Sequence, residues 1–182
     1  MIFWCLLFVA YFFFFLYCNK KTAFFINSGI SSRNLNILFS IKILVGITYI
    51  VVHECFIKVY DLTVLFSDSL QETELLLHQP LKFISTTFDS DYQNKYGGLL
   101  TTGSYWNDIS TTLLTKLLGI CNVLSFKNLY INILLYNYLI FYGHIALYRA
   151  FCTVWRNGKT GALIGCFFIP SSIFYLSGIN KF

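Results

Sequence analysis

The sequence predicts an all-α membrane protein of about four transmembrane helices, with an outer loop region that carries an interfacial amphipathic helix. Three observations predict it: composition, the length of the apolar runs, and the way charge is sorted along the chain. Of 182 residues, 57% are hydrophobic and 12% charged, against about 45–50% and about 25% in soluble domains. A domain this small exposes too much surface to hide that excess in one water-soluble core. Disorder, collagen, coiled coil and a disulfide-rich secreted module are excluded by the same figures.

A span needs about 20 mostly apolar residues to cross about 30 Å of hydrocarbon. Four segments meet that, over about 2–18, 34–53, 128–148 and 160–180. The first, Ile2–Cys18, is uncharged and aromatic-rich. It lacks a basic leader and a small-residue cleavage pattern, and its positive charges follow the apolar run, so it reads as an anchor and not as a cleaved signal peptide. The second, Asn34–His53, has one charge, Lys42, expected to snorkel to the cytoplasmic end. The third, Asn128–Tyr148, and the fourth, Thr160–Asn180, are uncharged.

The net charge is +5, with Lys20, Lys21, Arg33 and Lys42 and no acid over 19–42. All eight acids lie in 53–111, and 112–182 has six bases and no acid. That sorting rejects nucleic acid as a partner and fits short basic loops on the cytoplasmic side. The acid-rich segment 54–127 and both termini are then outside, in a single integral membrane domain of residues 1–182.

Within the outer segment, Ile109–Phe126 is too short in its uncharged part to span. Leu113, Leu114, Leu117, Leu118 and Cys121 fall at helical spacing, with Thr112, Thr115 and Lys116 on the other side. This predicts an amphipathic helix on the outer surface. A fifth span here would reverse the sidedness of everything after it.

The densest polar cluster is Lys82–Gly98, where Asp89 and Asp91 stand one residue apart, followed by Tyr92, Lys95 and Tyr96. Two such carboxylates can share a divalent cation or pair a base with a stabiliser. A solvated turn gives the same pattern. His53-Glu54 sits at a membrane boundary, as a proton-transfer or metal pair or as two interfacial residues. Asn137 and His144 are two helical turns apart and share a face of the third span, lining a path or packing against other helices. Asn128 and Asn132 lie near its outer end. Gly161-x-x-x-Gly165 lets another membrane helix approach closely, and Pro170 bends the fourth span. The six cysteines have no C-x-x-C, which excludes zinc-ribbon and thioredoxin-like readings; Cys55 and Cys121 are the pair placed to form a disulfide. G-K-T at 158–160 is not a P-loop, because the position that should hold its first glycine is Thr153.

The stretches Ser125–Phe151 and Phe167–Lys181, with the preceding Asp- and Tyr-rich outer segment, resemble a group of bacterial polytopic membrane proteins of cell-surface polysaccharide assembly. Those are similar to GT-C-type, lipid-linked-sugar glycosyltransferases. The most recognisable motif is I-P-S-x-x-F-x-x-S-G-x-x-K, from Ile169 to Lys181. In such proteins an acid and many more spans follow, so the resemblance implies the N-terminal part of a longer protein, truncated at its C-terminus, in the bacterial inner membrane. It implies Asp89 or Asp91 as the base that deprotonates an acceptor hydroxyl, with a divalent metal as an optional helper. Lys95 and Lys181 would contact the phosphate of a polyprenyl-phosphate sugar. The alternatives are a non-enzymatic membrane subunit held through Gly161 and Gly165, or a transporter component with Asn137 and His144 on its path.

Overall fold

The computed structural model describes residues 2–57, 60–87, 105–155, 158–169, 173, 177 and 178. Every regular element among them is helical. In chain order these are α1 (Ile2–Lys21), α2 (Ala23–Ile26), α3 (Ser32–Val52) with a π-helical turn at His53–Ile57, α4 (Tyr60–His78), α5 (Pro80–Ser85), α6 (Tyr105–Ser125), α7 (Leu129–Val154) and α8 (Lys159–Phe167).

Three helices are long and apolar enough to cross a membrane: α1, α3 extended through Cys55, and α7. They match the first three expected spans within a few residues, except that α7 runs six residues past Tyr148. Ile2, Phe3, Leu6, Phe13 and Phe14 on α1 are more than half exposed. Contiguous apolar surface of that kind is not kept in water and marks contact with lipid.

The fourth expected span, 160–180, begins as α8 and stops after nine residues, at Phe167. Pro170 follows three residues later in the sequence, and a proline disfavours helical geometry in the residue before it. Helical conformation recurs at Ile173, whose N–H donates to the Ile169 carbonyl at 2.9 Å, and at Ser177.

The chain gathers into two compact units, residues 1–58 with 133–180, and residues 59–132 with 181–182. The core of the first is aromatic. Phe15 stacks on Tyr138 with ring centroids 4.0 Å apart, Phe25 meets Tyr142 at 4.5 Å, and Phe39 meets Phe141 at 5.4 Å. Lipid supplies no hydrophobic drive between helices, so such dispersion contacts carry the association. At the other end of α1, Asn19 is fully buried and donates to the side chain of Asn36 on α3 at 3.3 Å.

In the second unit α4 packs along α6. The two faces expected of α6 are unequally packed. Thr115, Lys116, Gly119 and Asn122 of α6 face inward, while Leu113, Ile120, Val123 and Leu124 are well exposed. The helix is amphipathic, with polar groups in its packed face alongside Leu118 and Cys121. The chain leaves α6 through Phe126 and Lys127, both at positive φ (52° and 63°), a conformation that suits glycine and strains other residues.

Candidate functional site

In the first unit the polar groups of three segments converge inside the spans. Lys42 stands ten residues from either end of α3, about 15 Å from each at 1.5 Å per residue. It is 2% exposed, and its ammonium donates to the Ser177 hydroxyl at 3.2 Å. Snorkelling to the cytoplasmic end is therefore corrected: the helix turns Lys42 toward α7 and the 177–178 segment, at a depth from which its side chain reaches neither surface. Burying an ammonium in a membrane span is costly, so it is kept only where polar partners surround it, and such residues mark functional sites by default.

Asn137 supplies the next partner. It is fully buried, and its amide donates to the Ser177 carbonyl at 2.8 Å and to the Ile133 carbonyl at 2.9 Å. Its side-chain oxygen is buried without a hydrogen-bond partner among the described residues. His144, two turns along α7, is 6% exposed, and its Nδ1 lies 3.0 Å from the Ile140 carbonyl. That bond makes Nδ1 the protonated nitrogen of the neutral ring and leaves Nε2 as an acceptor. The ring lies 5.4 Å from that of Phe167 on α8. The shared face expected for Asn137 and His144 is thus turned inward.

Gly46 makes the convergence possible. A Cβ there would stand 2.9 Å from both the Asn137 amide nitrogen and the Ser177 carbonyl oxygen, closer than real Cβ atoms come. Gly178 is equally constrained, because a Cβ on it would enter the Tyr49 ring at 2.5 Å. The Ser-Gly of the S-G-x-x-K stretch is therefore the pair that α3 and α7 grip. Sequence reading singled out neither Gly46 nor Tyr49. Lys42, Gly46, Tyr49 and His53 recur about once per helical turn on one face, a spacing that could have found them.

His53 does not pair with Glu54. Its Nδ1 lies 2.8 Å from the Tyr49 carbonyl and its ring stacks on Tyr49 at 3.9 Å, while Glu54 is exposed. All six cysteines are free thiols, so the Cys55–Cys121 pairing is not formed. Gly161 is exposed and Gly165 half-buried, and a Cβ on either would meet nothing within 4 Å. The buried face of α8 is Ala162, Cys166 and Phe167 instead.

The second unit has its own polar interior. The Lys116 ammonium, 5% exposed, donates to Glu72 at 2.9 Å, to the Phe83 carbonyl at 2.5 Å and to the Thr86 hydroxyl at 3.0 Å. Three partners satisfy all three of its protons, and the Phe83 ring lies 4.2 Å beneath it. A second chain runs from the Asn132 amide to Asn122, from Asn122 to the Ser69 hydroxyl at 2.9 Å, and on to the Phe66 carbonyl at 2.6 Å. At the surface Glu74 accepts from Lys127 at 2.5 Å and meets His78 at 3.3 Å. The hydrogen bond and charge of Lys127 hold the Glu74 carboxyl below the usual range. Burial raises the Cys121 thiol to about 11. These groups bond to one another and read as the staples of the α4–α6 pair.

Asp89, Asp91, Lys95 and Lys181 lie outside the described residues. Among the described residues no three His, Cys, Asp or Glu side chains come together as a metal site. No family model, curated protein or solved structure matches the chain.

Proposed function

We propose that the chain is the N-terminal part of a membrane-embedded glycosyltransferase or polysaccharide polymerase that takes polyprenyl-linked sugars at the outer face of the bacterial inner membrane. The observation that carries this reading is the grip on Ser177 and Gly178. The motif that bears the resemblance is the segment held by Lys42, Asn137 and Tyr49, so its Ser and Gly have a physical reason to be there. The membrane-length helices on either side of the acid-rich segment support it further.

In this reading Asp89 or Asp91 takes the proton of the acceptor hydroxyl as its oxygen attacks the anomeric carbon. The bond from that carbon to the phosphate oxygen breaks, and Lys95 and Lys181 offset the charge left on the phosphate. A divalent ion held by the two aspartates would add to that stabilisation. Complementation of a polymer-deficient strain with the full-length gene tests it. Asp89→Asn with Asp91→Asn should abolish polymer, and undiminished polymer would sink the assignment.

A transporter component is the second reading, favoured by the buried Lys42 cluster at mid-span. Loss of function in Lys42→Met, with the double aspartate variant fully active, would select it.

A further inference from the structure

The first unit is strongly unbalanced in charge. Across residues 1–58 and 133–180 it has one acid, Glu54, against Lys20, Lys21, Arg33, Lys42, Lys58, Arg149, Arg156 and Lys159. Two of these cations open onto one groove. Lys20, in the last turn of α1, and Arg33, in the first turn of α3, both line a groove of about 670 Å³ and are exposed, a volume within the range of ligand sites, about 300–1,000 Å³. Neither has a carboxylate partner among the described residues.

The rest of the lining comes from a single face of α3. In chain order it runs Arg33, Asn36, Ile37, Ser40, Ile41 and Leu44, with the cation and the amide first and Ile41 and Leu44 nearest the middle of the helix. Polarity thus falls with depth. From Arg33 to Leu44 the groove descends eleven residues, about 16 Å at 1.5 Å per residue. Half of an about 30 Å hydrocarbon core is the same depth. The α3 N-terminus adds its own partial positive charge beside Arg33, with Ser31 capping it through the Asn34 N–H at 3.3 Å.

We propose that this groove is a binding site for an anionic phospholipid of one leaflet. Its phosphate sits between Lys20 and Arg33, its glycerol oxygens accept from the Asn36 amide nitrogen, and an acyl chain lies along Ile37, Ile41 and Leu44. Charge complementarity and a polar-to-apolar gradient one leaflet deep select this occupant. A soluble anion would have no use for the apolar half, and a neutral lipid none for the two cations. The proposal is independent of the enzymatic reading.

Native mass spectrometry of the full-length protein, titrated with phosphatidylglycerol or phosphatidylcholine, tests it. Phosphatidylglycerol should be retained in preference. Lys20→Gln with Arg33→Gln should weaken it about thirtyfold, taking about 1 kcal/mol per cation. Lys21→Gln is the matched control, since Lys21 does not line the groove and lies over the Tyr17 ring at 6.0 Å; it should change retention little. Leu44→Trp, which fills the apolar end, should also weaken binding, and excess inorganic phosphate should not displace the lipid. Equal retention of both lipids, an unchanged Lys20/Arg33 double variant, an equal loss in Lys21→Gln, an unchanged Leu44→Trp or displacement by phosphate alone would each overturn it.

Discussion

Gly46→Ala is the substitution that most sharply tests the packing around Ser177. The new methyl would lie 2.9 Å from the Ser177 carbonyl oxygen, a backbone atom that cannot swing aside, and 2.9 Å from the Asn137 amide nitrogen. Relief requires α3 to move away and the 2.8 Å bond from Asn137 to Ser177 to lengthen. Overpacking of one methyl costs about 1–3 kcal/mol, and a weakened hydrogen bond adds about 1. The better helix propensity of alanine returns up to about 1 kcal/mol. The net is a loss of about 2 kcal/mol, or about 4–8 °C in Tm for a chain of this length. Gly161→Ala and Gly165→Ala on α8 are the internal comparison, since a Cβ at either meets nothing within 4 Å. They should leave Tm unchanged or raise it slightly through propensity alone. Thermal unfolding of the detergent-solubilised protein, followed by tryptophan fluorescence, reads all three. A Gly46→Ala protein as stable as wild type, or an equal loss at Gly161, would refute the packing described for Lys42, Asn137 and Ser177.

Lys116→Met should cost about 1–3 kcal/mol, the scale for buried acceptors left without their donor, because the Phe83 carbonyl, the Thr86 hydroxyl and the half-buried Glu72 all lose it; chemical denaturation followed by circular dichroism measures it. Phe126→Gly should stabilise the α6–α7 connection by about 1 kcal/mol, since positive φ is strained for phenylalanine and free for glycine, read as a small rise in Tm. The Lys127 pair holds the Glu74 carboxyl below its ordinary range, so its contribution is present above the unfolded carboxylate pKa and is lost as pH falls through the lower folded value. Glu74→Gln should therefore lower Tm slightly at neutral pH and meet the wild type in acid, which flattens part of the fall on acidification. With its thiol near 11 and its side chain buried, Cys121 should resist maleimide at neutral pH while exposed Cys55 reacts, as mass spectrometry after timed labelling would show.

Length and hydropathy made α1, α3 and α7 legible, because a membrane fixes how long an apolar run must be. The fourth run is described as a helix only as far as Phe167, and hydropathy, which averages over Pro170, does not say where a helix ends. Lys42 was misplaced for a different reason: a lone cation in a span says nothing about which way its helix is turned. Its burial depends on Ser177, 135 residues away. The periodicity separated the two sides of α6 but did not say which of them meets α4, because that depends on Glu72 and Ser69, more than forty residues away in sequence. Lys116 is satisfied by Glu72 and Asn122 by Ser69, both on α4, while Leu113 and Leu124 stay outside. Asn137 and His144 were found because the two-turn spacing is a property of one helix and needs no tertiary knowledge.

The sidedness expected from the charge pattern underlies the chemistry proposed for the outer segment, and site-directed labelling tests it most directly. Single cysteines at Asn27, Ser90 and Asn157, in a cysteine-free background, would be exposed to a membrane-impermeant maleimide on intact cells. Asn27→Cys and Asn157→Cys should react only after permeabilisation, and Ser90→Cys should react at once. Immediate labelling at Asn27, or protection of Ser90, would contradict the account and remove the outer segment as a place for its chemistry.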